Sequence, residues 1–264
     1  MIGSILGDIA GSVYEFHNIK TKEFPFLTPQ KGYTDDSILT LATADWLLHG
    51  GDCATYYFRY ATRYPCPLGG FGGRFREWLH QGQQTGQLRP YGSCGNGSAM
   101  RVGPVGLAFR TEEETLEAAR ISAACTHNHP EGIKGAQATV LCIFLARNGK
   151  SKEDIKNTVE AKFGYDMNFT CDGIRETYQW DATCQGTVPQ AIRAFLDGTD
   201  FEDCVRSAIS LGGDSDTLAC ITGSIAEAFY GVPPALHAQA MHYLPTHFQQ
   251  IVAEFEGKFG PEIR

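Results

Sequence analysis

Several features that mark membrane proteins or nucleic-acid-binding proteins are missing from this sequence. No run of about 18 apolar residues occurs, which argues against a membrane-spanning helix. The apolar start of the chain carries Asp8 and Glu15 and lacks the basic segment of a signal peptide. The net charge of −8 and the absence of a basic stripe argue against a broad nucleic-acid surface. A small anionic ligand remains compatible, because carboxylates that hold divalent cations present positive charge locally.

Cysteine pairs and strand-like patterns are also scarce. The nine cysteines are an odd number and form no CxxC pair, so we expect reduced thiols and a cytoplasmic location. Alternating runs of β-branched residues are almost absent, whereas helix signals are dense. We therefore predict an all-α domain, a compact multi-helix bundle of roughly ten to thirteen helices. No long linker or repeat divides residues 1–264, so we interpret them as one domain, and we expect a monomer.

Local signals indicate where some helices begin and end. Thr111 and Glu114 have the spacing of a capping box, and Thr187 with Gln190 is expected to open the helix PQAIRAFL. The first apolar segment is expected to form a helix as far as Glu15, where the helix dipole disfavours an acid. That position slightly favours a functional carboxylate over a solvated one.

The segment YTDDS places two adjacent aspartates, Asp35 and Asp36, just before an apolar helical run. One aspartate could cap the helix while the other interacts with the helix dipole, which would be a structural role. Both could instead be ligands of a hard cation, with Thr34 adding a hydroxyl oxygen.

The segment GGDSDT has the same composition far along the chain: Asp214, Asp216 and Thr217 after two glycines. Taken alone, each segment is adequately explained as a helix cap. If both meet in space, they supply four carboxylates and two hydroxyls, which suits two magnesium or manganese ions. Considered together, the two segments favour a binuclear metal site over two caps.

Glycine-rich loops separate these acidic segments. The loop YGSCGNGS precedes a helical stretch and has the flexible backbone that binds anions at helix starts, although an ordinary loop would look the same. The loop LGGFGGR could cover a pocket or form a simple turn. In the first helix, Gly3, Gly7 and Gly11 are spaced four apart, so a second helix can approach closely. His127 lies in the loop CTHNHPEG, where ligand contact is favoured over metal binding because the other candidate metal ligands are oxygens.

The motifs GDIAGSVYE, YTDDS, GNGSAMRVGPVG and GGDSDTLACITGSIAEAFYG, in this order and spacing, resemble the ADP-ribosylglycohydrolase family. The resemblance extends from about Gly3 to Gly231, and GDIAGSVYEFHN is more similar to the branch that cleaves serine-linked and polymeric ADP-ribose. It implies an all-α orthogonal bundle with two Mg²⁺ or Mn²⁺ ions. Cys94, within the phosphate loop, and the run His129–Glu131 depart from some relatives and concern contacts to the substrate.

The resemblance also implies roles for individual residues. Glu15, Asp36 and Asp216 would act in catalysis, with Glu15 as the acid. The implied metal ligands are Thr34, Asp35, Asp36, Asp214, Asp216 and Thr217. The implied substrate-binding residues are Phe71, Gly72, Ser93, Gly95, Asn96, Gly97 and His127.

The expected reaction is hydrolysis of the glycosidic bond between ADP-ribose and an acceptor, through an oxocarbenium-like transition state. The substrate would be an ADP-ribosylated protein or poly-ADP-ribose, and the product ADP-ribose. Two alternatives stay open at this point: an ADP-ribose-binding or structural relative without activity, and a two-metal phosphoesterase or diphosphatase.

Overall fold

The chain folds almost entirely into helices, as predicted. A computed structural model describes residues 1–66 and 68–260, and in that part of the chain it contains fifteen helices and no β-strand. The helices are α1 (Ile2–Gly11), α2 (Asp35–His49), α3 (Cys53–Arg63), α4 (Gly73–Thr85), α5 (Gly97–Met100), α6 (Gly103–Ala108), α7 (Glu112–Ala124), α8 (Pro130–Arg147), α9 (Lys152–Phe163), α10 (Cys171–Ile174), α11 (Cys184–Asp197), α12 (Phe201–Ile209), α13 (Ser215–Tyr230), α14 (Pro234–Tyr243) and α15 (Thr246–Phe259).

The helix count exceeds the predicted ten to thirteen because two helices, α5 and α10, have only four residues each. Such short helices have too few positions to show an apolar period in the sequence. None of the helices described is long and apolar enough to cross a membrane. A continuous apolar core includes residues from Met1 to Phe255, and the nine cysteines are unpaired. The division into a single domain stays a prediction.

The predicted helix caps are partly confirmed. Thr111 and Glu114 form the expected capping box at the start of α7. The prediction that Thr187 opens a helix is wrong, because α11 begins at Cys184, where the Thr183 side chain accepts a hydrogen bond from the backbone of Gly186. Pro189 therefore lies inside α11 instead of marking its first turn.

Close packing of α1 against α13 brings the GGDSDT segment next to the end of the first helix. A Cβ atom on Gly3 would lie 2.4 Å from the carbonyl oxygen of Gly223, and one on Gly7 would lie 2.0 Å from that of Ala219. At Gly11 a Cβ atom would lie 2.5 Å from the Cα of Asp216. The glycine spacing therefore serves the predicted close approach, and it sets the backbone of GGDSDT directly against the end of α1.

The prediction that the first helix runs as far as Glu15 is wrong, because the helix ends at Gly11 and Glu15 lies in the turn that follows it. The buried Lys31 ammonium donates to the carbonyl oxygens of Ala10 at 2.7 Å and Phe26 at 3.0 Å, and lies 4.5 Å from the centre of the Tyr14 ring. These bonds satisfy a carbonyl at the helix end and stabilise the turn that carries Glu15. Burial lowers the pKa of Lys31 to about 7.

Candidate active site

A cleft of about 310 Å³ opens where the turn after α1, the starts of α2 and α13 and the glycine-rich loops meet. Both acidic segments line it, as do parts of both glycine-rich loops. The lining residues are Glu15, Asp35, Asp36, Leu39, Gly70, Gly72, Gly73, Arg74, Phe75, Tyr91, Ser93, Gly95, Asn96, Gly97, Met100, Arg101, His127, Trp180, Ala182, Asp214, Asp216 and Thr217.

A buried carboxylate on α1 fixes the YTDDS segment. Asp8 accepts hydrogen bonds from the backbone of Thr34 at 2.9 Å and of Ser37 at 3.0 Å, and from both of their hydroxyls. The Thr34 side chain caps α2, so neither Asp35 nor Asp36 is the cap. Thr34 is fully buried and absent from the cleft wall, with its hydroxyl donating to Asp8 at 2.7 Å. Its role as a metal ligand stays a prediction, while both aspartates are placed at the cleft.

The GGDSDT segment turns sharply into the cleft. Gly212 and Gly213 both have a φ of 69°, a left-handed backbone that other residues rarely adopt. Asp214 makes no capping hydrogen bond and instead accepts one from the Asn96 side chain at 2.7 Å. Glu15, Asp214 and Asp216 each have one carboxylate oxygen that lies within 4.8 Å of those of the other two. The structural explanation as a helix cap therefore fails for Asp214.

Burial raises the pKa of every carboxyl group in this cluster. The pKa of Asp35 rises to about 7, and those of Asp36 and Asp216 rise well above their ordinary value, through burial and then through repulsion from neighbouring carboxylates. The hydrogen bond from the Asn96 side chain partly opposes the rise for Asp214. The Oδ2 atom of Asp36 is buried without a hydrogen-bond partner in the described part of the chain. An orphaned oxygen among crowded carboxylates, with a hydroxyl beside them, fits a divalent cation with oxygen ligands.

The turn that carries Glu15 is attached to the GGDSDT segment by one side chain. Asn18 donates from its amide to the carbonyl oxygens of Glu15 and Gly213, each at 2.9 Å, and accepts from the Gly213 backbone at 2.8 Å. Burial, followed by the charges of Asp214 and Asp35, raises the pKa of Glu15 from 4.5 to about 8. In the metal-free protein the Glu15 carboxyl therefore retains its proton at neutral pH.

The glycine-rich loop forms the opposite wall. Gly97 begins α5, and a Cβ atom there would lie 3.2 Å from Nε2 of His127, so backbone and imidazole face the same space. Arg101 donates to the Thr126 hydroxyl at 2.8 Å, and that hydroxyl lies 2.8 Å from Nδ1 of His127. Burial lowers the pKa of His127 well below its ordinary value, so the ring is neutral. With the Thr126 hydroxyl donating to Nδ1, the ring hydrogen is on Nε2, where it can be donated to a ligand.

Sequence reasoning identified twelve of the twenty-two residues that line the cleft. Gly72 lines the cleft as predicted, whereas Phe71 does not and packs on Phe75 with ring centroids 5.1 Å apart. The residues that it missed include the charged and aromatic side chains of Arg74, Tyr91, Arg101 and Trp180. Arg74 donates to the Tyr91 carbonyl oxygen, and its guanidinium carbon lies 5.1 Å from the centre of the Tyr91 ring. The only feature of the sequence that could have marked Arg74 and Arg101 as cleft residues is their position beside a glycine-rich loop. No feature of the sequence marks Trp180.

Comparison with known proteins agrees with this geometry. A profile described as ADP-ribosylglycohydrolase matches residues 1–261. The chain belongs to the ADP-ribosylglycohydrolase family. Members are hydrolases of glycosyl bonds, and the match confirms the resemblance predicted from the four motifs. The all-α fold class is confirmed as well.

Individual relatives have activities printed in their names. The chain is 27% identical over 330 residues to the mouse protein named ADP-ribosylhydrolase ARH3, covering 97% of this chain and 87% of that one. The human protein of the same name is 26% identical, with coverages of 97% and 88%. A protein from Pseudomonas putida (strain GB-1) named ADP-ribosylarginine hydrolase Tri1 is also 26% identical, with coverages of 88% and 70%. The matches to proteins named ARH3 support an ARH3-like member of the family.

One solved structure shares the whole fold. The chain from a structure titled ADP-ribosylglycohydrolase-related protein complex superimposes with a TM-score of 0.75 and is 25% identical. The match covers 99% of this chain and 96% of that chain.

Proposed function

We propose that this ADP-ribosylglycohydrolase hydrolyses the N- or O-glycosidic bond between ADP-ribose and an acceptor, in a reaction that depends on divalent metal. The acceptor would be a protein side chain or a unit of poly-ADP-ribose, and the product free ADP-ribose. The observation that carries this proposal is the convergence of carboxylates from three separate segments on one cleft, opposite a neutral glycine-rich loop.

The metal ions would be held by the crowded oxygens. Asp35, Asp36, Asp214, Asp216 and Thr217 line the cleft and supply oxygen ligands suited to two Mg²⁺ or Mn²⁺ ions. When bound, such ions offset the repulsion among the carboxylates, orient the ribose hydroxyls and lower the pKa of water.

Glu15 is the proposed acid. Its half-buried carboxyl at the cleft wall would give a proton to the leaving atom as the bond at C1 of the ribose breaks. Water then adds to C1, and the Glu15 carboxylate accepts the proton that the water gives up. The net change is one glycosidic bond broken, one water consumed and Glu15 restored.

The opposite wall would hold the rest of the nucleotide. The Gly97 N–H at the start of α5 and the Ser93 hydroxyl would donate hydrogen bonds to a diphosphate or a ribose, and Arg74 adds positive charge. Gly95 and Asn96 would shape this wall, since their N–H groups already donate to Ser93 Oγ and to the Ala182 carbonyl oxygen. His127 Nε2 would donate to the same ligand. The hydrogen bond that the Asn96 side-chain amide donates to Asp214 joins the two walls, so the position of the nucleotide and that of the carboxylates would be coupled.

The test is a release assay on proteins carrying ADP-ribose on arginine or on serine, and on poly-ADP-ribose, with Mg²⁺, with Mn²⁺ and with a chelator. We expect release of intact ADP-ribose that stops on chelation and is lost in Asp216→Ala. Glu113→Ala, which removes an exposed carboxylate on α7, is the matched control and should leave release unchanged. AMP as product would indicate phosphate chemistry instead. Tight binding of ADP-ribose without release from any acceptor would indicate a binding protein.

A further inference from the structure

Two cysteines lie opposite each other where the glycine-rich wall of the cleft meets α11. Cys94 lies inside the loop YGSCGNGS, and Cys184 is the first residue of α11. An antiparallel bridge pairs Gly95 with Thr183, and next to it the Cys184 N–H donates to the Cys94 carbonyl oxygen at 2.9 Å. In an antiparallel pair this pattern places Cys94 directly opposite Cys184.

The backbone separation of such a pair suits a disulfide. Opposed residues joined by a ladder hydrogen bond have Cα atoms about 5.5 Å apart, within the range of about 4.4–6.8 Å found for disulfides. Their Cβ atoms are about 4.5–5.5 Å apart, whereas a disulfide needs about 3.5–4.5 Å. The two segments must therefore approach by about 1 Å before the bond can close. A disulfide formed with such strain is easily reduced, which suits a reversible bond.

The Cys94 side chain points away from the substrate side of the loop. A Cβ atom on Gly95 would lie 3.1 Å from Oγ of Ser93 and 3.5 Å from Nε2 of His127, so positions 93 and 95 face the cleft. Successive side chains of an extended segment point to opposite sides, and Cys94 accordingly does not line the cleft. It is half-buried, so a small thiol reagent can reach it.

The buried Cys184 thiol supports the same loop from beneath. Its sulfur donates to the Gly95 carbonyl oxygen at 3.1 Å and lies 3.4 Å from the Ser98 hydroxyl oxygen. Burial raises the pKa of Cys184 to about 12, so this sulfur keeps its proton in the reduced protein. A disulfide removes that proton, and with it the hydrogen bond to Gly95. The adjoining Gly97 N–H, which would meet the nucleotide, then loses its fixed position.

We propose that Cys94 and Cys184 form a reversible disulfide that weakens nucleotide binding when low-molecular-mass disulfides such as glutathione disulfide accumulate. The Cys94 thiolate attacks glutathione disulfide and forms a mixed disulfide, and the glutathione thiolate released takes up the proton that Cys94 lost. The Cys184 sulfur then attacks the Cys94 sulfur, and its proton goes to the second glutathione as that leaves. Two protein thiols and one glutathione disulfide thus become one protein disulfide and two glutathione thiols. The inference rests on the proposed function, since it concerns regulation of that same cleft.

The test equilibrates wild type, Cys94→Ser, Cys184→Ala and Cys66→Ser in buffers of reduced and oxidised glutathione. Cys66 is the matched control, because it is a half-buried thiol outside the loop and outside the cleft wall. Mass spectrometry of peptides with blocked free thiols identifies the disulfides. Calorimetry gives the Kd of ADP-ribose for each oxidised protein relative to its own reduced form.

We expect oxidised wild type and Cys66→Ser to contain a disulfide between Cys94 and Cys184 and to bind ADP-ribose roughly ten-fold more weakly, as the loss of one or two hydrogen bonds implies. Dithiothreitol should restore the Kd. Cys94→Ser should keep its Kd in every buffer, and Cys184→Ala should stop at the mixed disulfide between Cys94 and glutathione.

Three results would overturn the disulfide switch while leaving the proposed function intact. The peptide pair of Cys94 and Cys184 could be absent from wild type at the highest ratio of oxidised glutathione. The disulfide could form without a change in the Kd, or oxidised Cys94→Ser could lose as much affinity as wild type. Oxidation could also unfold the protein, which circular dichroism would detect. If the reduced wild type neither bound nor released ADP-ribose, the proposed function would fail and the regulation with it, although mass spectrometry would still report whether the disulfide forms.

Discussion

Replacing Asp8 with alanine is expected to disturb the candidate metal site from a distance. Asp8 lies outside the cleft wall, yet its buried carboxylate accepts both backbone hydrogen bonds at the start of α2. Removal leaves the backbone N–H groups of Thr34 and Ser37 buried without partners, at a cost of about 1–3 kcal/mol each. We therefore expect the free energy of unfolding to fall by about 2–6 kcal/mol, and Asp35 and Asp36 to lose their fixed position.

Asp8→Asn separates the hydrogen bonds from the charge. With its oxygen in the place of Oδ2, the asparagine accepts the bonds from Thr34 and Ser37, and its amide donates to the Thr34 hydroxyl. We expect this variant to retain most of the stability that Asp8→Ala loses. Urea denaturation gives the free energies of unfolding, and calorimetry gives the affinities for Mn²⁺ and ADP-ribose.

Asp45→Ala provides the matched control on the same helix, ten residues or about 15 Å from Asp35. Asp45 is also a buried carboxylate, and it accepts hydrogen bonds from Arg59 at 2.6 Å and Tyr60 at 2.9 Å. Its removal should destabilise the protein without changing ligand affinity. The reasoning would be refuted if Asp8→Ala, like Asp45→Ala, left the Mn²⁺ and ADP-ribose affinities at wild-type values.

Three further predictions concern the acid, the helix contact and the effect of pH. Glu15→Gln should lower the rate of ADP-ribose release by about 10²–10⁴-fold with little change in the Kd of ADP-ribose, because only the transferable proton is removed. An unchanged rate of release would exclude Glu15 as the acid. Gly7→Ala should lower the free energy of unfolding by about 1–3 kcal/mol, because its Cβ would lie 2.0 Å from the Ala219 carbonyl oxygen. Gly257→Ala, which has open space around it on α15, is the control and should be neutral or stabilising. Equal melting temperatures for the two variants would contradict the close helix contact. In the metal-free folded protein, the pKa values of Glu15 and Asp35 are raised to about 8 and about 7. Because these values lie above those of the unfolded chain, the stability that the protonated forms contribute is complete below pH ~4 and is lost as the pH rises to 8. The melting temperature without metal should therefore fall over this range, and Mn²⁺ should raise it more at pH 8 than at pH 6. An effect of Mn²⁺ on the melting temperature that does not depend on pH would contradict this linkage.

The sequence predicted the fold class and most of the site because both depend on short patterns. Two separate runs of acid and threonine before helices indicated one shared ion site, and the glycine spacing on the first helix indicated the contact that aligns them. Asp8 shows why prediction stopped there. Its partners lie 26 and 29 residues away, and an aspartate in an apolar helix gives no sign of what it binds.

Other elements escaped prediction for physical reasons of the same kind. Asn18 bridges a separation of 195 residues to reach Gly213, and no local pattern marks such a contact. The end of the first helix at Gly11 was missed because the apolar period continues past it, while the bonds of Lys31 that stabilise the following turn form only in the folded chain. Trp180 gave no signal because its neighbour Phe16 is distant in sequence.

The measurement that tests the metal centre most directly is a Mn²⁺ titration of the metal-free protein, followed by electron paramagnetic resonance, for wild type, Asp36→Ala and Asp216→Ala. We expect the wild type to bind two ions whose spectra report coupling between neighbouring metals, and each variant to lose that coupling. Asp36 and Asp216 come from the two separate acidic segments, so loss of coupling in both would establish that the segments share one centre. A folded wild-type protein that binds no Mn²⁺, or variants that retain two coupled ions, would contradict the shared centre.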